Sequence, residues 1–232
     1  MRAIIFDLDD TLYPERSFVD SGFRAVADWT ERSLGLASEI VYRELTDSFE
    51  DGVRGDTFDR LLARHGIGGN GWVRQMVDVY RGHSPEIAPF PELTELLPWL
   101  RSRFLLGLVT DGQREVQRRK IRALGLDGEF HAVVLTDDLG RLAGKPSSRP
   151  FIAVLDMLGV SAPEAVYVGD NPVKDFLGAR RIGMRAVRIR HPEGLYGGLQ
   201  PPSPGHAPVA EVHSFEELEA LLARWLDAGP TV

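Results

Sequence analysis

The chain has 232 residues, 43% of them hydrophobic and 26% charged, the proportions of an ordinary globular protein with one large domain or a core carrying an insert. A formal net charge of −7 argues against general affinity for nucleic acid, and no apolar stretch reaches the roughly 18 residues of a membrane span. With no cysteine there is neither a disulfide framework nor thiol chemistry, and the lack of a signal-peptide pattern gives a cytoplasmic location as the expectation.

The first predicted element is a strand over 3–6, AIIF, which runs straight into Asp7, Asp9 and Asp10. Carboxylates are almost never buried unpaired, so this cluster needs a cation, a proton-transfer task or solvent. From about residue 17 to 82 the pattern is helical. Val19, Phe23, Val26 and Ala27 recur at helical spacing, then Val41, Leu45 and Phe49, then Phe58, Leu61 and Leu62, then Val73, Met76, Val77 and Tyr80. That spacing makes Phe18, Trp29 and Trp72 packing residues.

After Pro85 strands and helices alternate. Strands are predicted over 105–109, 132–135, 165–168 and 186–189, compact aliphatic runs suited to a parallel sheet covered on both faces. Helices are predicted over 113–124, 150–158 and 172–182, each followed by a glycine that suits a helix C-terminus. Pro98 predicts a kink or a late start in the helix over 92–103. The Gly- and Pro-rich stretch 191–208 reads as a long irregular loop, and Ser214 with Glu217 forms a capping box for the last helix. The expected fold class is therefore α/β, a doubly wound parallel sheet with right-handed crossovers and an inserted helical segment.

In such folds ligands bind beyond the carboxyl ends of the strands. There the sequence places Asp7, then Thr110, Asp111 and Gly112, then Asp170. Each could be a helix cap, but three together predict one polar crevice. Asp7 facing Asp170 calls for a cation between them, and hard oxygen ligands suit Mg²⁺ with room for a phosphate oxygen. Lys145 can bring positive charge to the same edge. Asp175 can offset the dipole of the helix it opens, or hold Lys145 or a metal-bound water from behind.

Four motifs in order, DLDDT at 7–11, VTDG at 109–112, GKP at 144–146 and GDNPVKD at 169–175, resemble those of the haloacid dehalogenase-like (HAD) hydrolase superfamily. The resemblance implies a HAD-like, Rossmannoid core over 1–14 and 86–232 and a helical C1-type cap over 15–85. It implies Asp7 as the nucleophile that becomes an aspartyl-phosphate and Asp9 as general acid, then base. Thr110 and Lys145 would bind the phosphoryl group, with Asp111 and Gly112 beside them. Mg²⁺ would be held by the carboxylates of Asp7 and Asp170 and the backbone carbonyl of Asp9, supported by Asp175 and Asn171. The aspartate two residues after the nucleophile sets the chain apart from the superfamily's dehalogenases and phosphonatases.

The expected activity is Mg²⁺-dependent hydrolysis of a small phosphomonoester. A phosphosugar mutase shares the motifs, and a non-catalytic binding module on the same scaffold is the reading from a different class. The expected partner is a small phosphorylated metabolite, with no nucleic acid and no membrane. Arg54, in the glycine-containing turn 51–56, is the candidate in the insert for contact with a second anionic group of the substrate.

Overall fold

The computed structural model describes residues 1–69, 71–140 and 142–227. They divide into two compact units, one made of Met1–Arg16 with Ala88–Val232 and the other of Ser17–Ile87.

The first unit is built on a six-stranded sheet: β1 Ala3–Phe6, β2 Leu105–Thr110, β3 Ala132–Leu135, β4 Ala165–Gly169, β5 Arg185–Ile189 and β6 Ala210–Val212. All its pairings are parallel and the spatial order is β3-β2-β1-β4-β5-β6. β1 is central, with Ile5 opposite Gly107 on one side and Tyr167 on the other. Every residue of β1 is buried, which is why its sequence is a continuous apolar run and not an alternation. The strand order reverses at β1, so the crevice between the ends of β1 and β4 is the place where such a sheet takes a ligand.

The helices of this unit are α5 Pro91–Arg101, α6 Arg114–Ala123, α7 Arg149–Leu158, α8 Asp175–Arg181 and α9 Phe215–Asp227. Phe151, Val154, Leu155 and Leu158 of α7 pack onto Ile5, Val109, Val134 and Tyr167 in one buried cluster. Gly107 makes this approach possible. A Cβ there would meet Val154 at 2.9 Å, Ile5 at 3.0 Å and Leu158 at 3.2 Å.

Three expectations need adjustment. Pro98 neither delays nor ends α5, which runs through it with Pro91 in its first turn. Leu93, Leu96, Leu97 and Leu100 are buried along that helix and offset the hydrogen bond a proline cannot make. The helix expected from residue 172 starts only at Asp175, because Asn171 organises a turn first. Its side-chain oxygen accepts from Val173 N at 3.0 Å, and its carbonyl accepts from Lys174 N and Asp175 N. β6 lies at the edge of the Gly- and Pro-rich tail and is too short to show a period. The capping box of α9 is also modified: Glu217 N donates to Ser214 Oγ at 3.1 Å, but the Glu217 carboxylate accepts from His213 N rather than from Ser214.

The second unit is helical: α1 Glu15–Leu34 leads into it, followed by α2 Ser38–Glu50, α3 Thr57–Arg64 and α4 Trp72–Gly82. Its centre is aromatic, with Phe23 lying 6.1 Å from Phe49, 6.4 Å from Phe58 and 5.9 Å from Tyr80. Phe18 packs edge-on against Tyr80, and Trp29 packs against Trp72. Tyr80 lies directly over Gly22, where a Cβ would come within 2.4 Å of the ring. No helix among the described residues is long and apolar enough to cross a membrane.

Candidate active site

Three adjacent strands deliver the polar groups. Asp7 follows β1, Thr110 ends β2 and Asp170 follows β4. All three are buried. Asp7 is fixed from its backbone, whose N–H donates to Val168 O at 2.9 Å and so extends the ladder by one bond.

The charge at the centre is supplied by Lys145, whose side chain is 1% exposed. Its ammonium donates to Asp7 Oδ1 at 2.5 Å, to Asp175 Oδ1 at 2.7 Å and to the Tyr167 hydroxyl at 3.0 Å, which uses its three protons. The Tyr167 hydroxyl donates in turn to Asp175 Oδ1 at 3.2 Å, and Asn171 N donates to Asp175 Oδ2 at 2.8 Å. Both oxygens of Asp175 are therefore occupied in holding the lysine and the turn before α8. Asp111 serves the same loop: its carboxylate accepts from Lys145 N at 3.2 Å. Gly169 leaves the space for this arrangement, since a Cβ there would lie 2.7 Å from Asp175 Oδ2 and 3.0 Å from the Tyr167 ring. Gly169→Ala is accordingly expected to cost about 1–3 kcal/mol of stability. It should also lower turnover at least tenfold by displacing Asp175, as melting and steady-state rates would report; unchanged values for both would contradict this packing.

One lysine faces three buried carboxylates. Asp7, Asp170 and Asp175 each offer an oxygen within 4.8 Å of the others. Burial, against the pull of Lys145 and with help from Asp175 and Asp9, pushes Asp7 up to about 7. Burial, then Asp175 and Asp7, pushes Asp170 well above the usual carboxylate range. Oδ2 of Asp170 is buried and has no hydrogen-bond partner among the described residues. Crowded carboxylates with raised affinity for protons, one of them carrying an orphan oxygen, fit a hard cation such as Mg²⁺.

Asp9 lies beside this cluster in a different environment. Its Oδ1 accepts from Lys120 Nζ at 2.6 Å and from the Tyr13 hydroxyl, and its Oδ2 accepts from Gln117 Nε2 at 2.9 Å. Burial alone would raise its pKa, but the Lys120 charge and the bonds from Lys120, Tyr13 and Gln117 hold it below the usual carboxylate range. Gln117 Nε2 also donates to Thr110 Oγ1 at 2.5 Å. Gly112, at φ +128°, lies against the Gln117 amide.

Asp10, which has no assigned chemistry, proves structural. It takes φ +53°, unusual outside glycine, and its carboxylate accepts from Glu15 N at 2.8 Å and Leu195 N at 2.6 Å. Asn171 shapes its own turn with its side chain, as described above. Arg54 belongs to the inserted unit, where its guanidinium donates to Phe49 O at 2.7 Å and Val53 O at 2.9 Å and lies 3.7 Å over the Phe49 ring. A cavity of about 430 Å³ beside Phe90, His191 and Phe215 is lined by Asp10 but not by Asp7, Asp9 or Asp170.

Sequence reasoning missed Tyr13, Gln117, Lys120, Tyr167 and Arg188. Arg188 on β5 is 2% exposed and donates to Asp170 O at 3.0 Å, Tyr196 O at 2.9 Å and Leu199 O at 3.1 Å, tying the loop after β5 to the end of β4. A signal did exist for two of them: Gln117 and Lys120 stand on α6 in phase with Ile121, where a helix would bury apolar residues.

Comparison with known proteins places the chain in a family. A glyceraldehyde 3-phosphate phosphatase from Methanopyrus kandleri is 36% identical over 228 residues, spanning 94% of this chain and 95% of its own. A phosphoserine phosphatase from Thermus thermophilus is 30% identical over 251 residues, spanning 94% and 98%. The structure of the HAD-hydrolase YfnB from Bacillus subtilis bound to magnesium superposes with a TM-score of 0.70 at 21% identity, covering 95% of this chain and 98% of that one, a likeness of fold. The family model for haloacid dehalogenase-like hydrolases matches residues 1–183, from the first strand through the turn that closes α8, and the chain belongs to that family.

Proposed function

We propose that this chain is a Mg²⁺-dependent phosphatase that hydrolyses a small phosphomonoester through a phosphoryl-aspartate on Asp7. The observation that carries the reading is the Lys145 ammonium bridging Asp7 and Asp175 beside the orphan oxygen of Asp170. The phosphatases named above, which act on glyceraldehyde 3-phosphate and phosphoserine, support the substrate class. The magnesium in the YfnB structure supports the metal.

In the first step an oxygen of Asp7 attacks phosphorus and the ester P–O bond breaks; Asp9, ionised in the resting site, takes up a proton from solvent as the anionic substrate binds beside it and gives it to the departing alkoxide. Water then attacks the same phosphorus, Asp9 takes a proton from it, and the bond to Asp7 breaks to release inorganic phosphate. Thr110 donates its hydroxyl to a phosphoryl oxygen and Lys145 offsets the negative charge spread over the group. The carboxylates of Asp7 and Asp170 and the backbone carbonyl of Asp9 would hold Mg²⁺, with Asp175 and Asn171 behind them. When bound, the ion neutralises phosphoryl oxygens so that an anionic nucleophile can approach. The inserted segment 15–85 acts as a C1-type cap that sets selectivity, and Arg54 is the residue there to test, by asking whether Arg54→Ala changes preference among substrates.

Mg²⁺ at about 100 times its dissociation constant is expected to stabilise the protein by about 2.7 kcal/mol. The gain should vanish in Asp170→Ala, and an equal gain in that variant would remove Asp170 from the site. Activity is tested on a panel of glyceraldehyde 3-phosphate, phosphoserine, sugar phosphates and nitrophenyl phosphate, reading released phosphate. Asp9→Asn should give a burst of nitrophenol close to one equivalent of enzyme, then turnover slowed about 10²–10⁴-fold, because nitrophenolate leaves without a proton while hydrolysis of the phosphoryl-aspartate lacks its base. A linear rate with no burst would refute the double role. An isomerised sugar phosphate in place of free phosphate would identify a mutase.

A further inference from the structure

Two polar residues of α6 are buried without any part in the chemistry above. Gln117 is 1% exposed and Lys120 5%, on a helix whose Arg114, Arg118 and Arg122 face solvent. Lys and Gln carry large desolvation costs, so burying both on one turn calls for partners that need them. The partners are Asp9 and Thr110. Lys120 grips Asp9 Oδ1 at 2.6 Å, while the Gln117 amide spans Asp9 Oδ2 at 2.9 Å and Thr110 Oγ1 at 2.5 Å.

An ionised carboxylate only accepts, so the atom of Gln117 facing Asp9 is the amide nitrogen, and its two protons serve the two contacts. Thr110 Oγ1 accepts one of them. Its own proton is thereby directed away from Gln117 and left to donate elsewhere. One side chain thus fixes both the direction of a hydroxyl and the place of a carboxylate. The spacing of three residues between Gln117 and Lys120 puts both on one face of α6, so the helix sets the pair as a rigid unit.

We propose that Gln117 and Lys120 are positioning residues that hold Asp9 in register with the Thr110 hydroxyl, and so the acid–base group in register with the phosphoryl oxygen. The proposal rests on the phosphatase reading above. It concerns how Asp9 is aimed, since a misplacement of about 1 Å costs on the order of 10²-fold in rate.

The test uses the full chain with Mg²⁺, the fastest alkyl ester of the panel, and nitrophenyl phosphate. Lys120→Met and Gln117→Met keep much of the shape and remove the donors. Lys120→Met is expected to lower kcat on the alkyl ester about 10–100-fold, with KM changed less than about threefold and the nitrophenol burst rate nearly unchanged, because only the alkyl ester needs Asp9 in its first step. In an Asp9→Asn background Lys120→Met should cost nothing further on the alkyl ester. Gln117→Met should show the same dependence on leaving group plus a uniform loss that disappears when Thr110→Val is added. Lys120→Arg should recover part of the alkyl rate. Equal losses on both esters, or losses that persist without Asp9 and Thr110, would overturn the proposal and leave the two residues as packing. If Gln117→Met does not fold, Gln117→Leu, close in volume and without either donors or a new charge, answers the same question. Wild-type protein inactive on every ester would instead defeat the phosphatase reading, a result distinct from insensitive variants of an active enzyme.

Discussion

Replacing Asp7 by asparagine is expected to abolish turnover, with a loss on the order of 10⁶-fold, as when a covalent nucleophile is removed. An amide nitrogen has given its lone pair to the carbonyl, and the remaining oxygen is a poor nucleophile. The variant should fold. Asp7 is one of three buried carboxylates facing one ammonium, and its ionisation is already resisted by burial. The substituted amide keeps an oxygen that can accept from Lys145, and the repulsion it removes should leave the melting temperature of the metal-free protein unchanged or higher. Rapid quenching with an aryl phosphate, followed by intact mass measurement, should find a phosphoryl adduct on the wild type and none on the variant. An adduct on Asp7→Asn, or turnover above about one part in a thousand of wild type, would assign the nucleophile elsewhere.

Lys145→Met has the largest expected effect on folding. The ammonium is 1% exposed and bonds to Asp7, Asp175 and Tyr167. Removing one partner of a buried ion pair leaves the other charge uncompensated and typically costs about 3–5 kcal/mol. Here two carboxylates lose their contact at once, so the upper part of that range is expected in urea denaturation without metal. The origin of the loss can be checked in a second variant. Asp175→Asn in the Lys145→Met background removes one of the abandoned charges and should restore stability relative to the single variant, although on wild type it destabilises. Additive losses would show that Lys145 acts by packing and not by charge. Catalysis should fall at least about 10²–10³-fold in either variant, since the phosphoryl charge loses a fixed cation in a dry site.

The strands and three of the site positions were legible for a single reason. AIIF, LLGLVT and AVYVG are buried on both faces, so they read as unbroken apolar runs, and the first polar residue after each marks a strand end. Parallel pairing then brings those ends to one edge. What stayed hidden lies on elements whose facing the sequence does not encode. α6 reads REVQRRKIRA, and among so many polar residues only the phase with Ile121 marks the two that turn inward. Arg188 sits in RAVRI, where alternation suggests a solvent face, yet it is buried because three carbonyls converge on it. The Tyr167 hydroxyl was hidden by its ring, which alone accounts for its place in an apolar strand. The turn before α8 reads as helix because Asn171 and Pro172 both suit a helix start, and only the bond from Val173 N to the asparagine side chain decides otherwise.

The central place of β1 has a consequence for biosynthesis. It is the first strand made, yet Ile5 waits for Gly107 and then for Tyr167 before both its edges are closed. On the ribosome the segment Ser17–Ile87 is complete before either partner strand exists. The nascent core therefore carries an apolar strand with an open edge until β4 is made, and its nucleus must await contacts of long sequence separation. Chains released before Ala165 would expose β1 as an unpaired hydrophobic edge, the kind of surface that seeds aggregation.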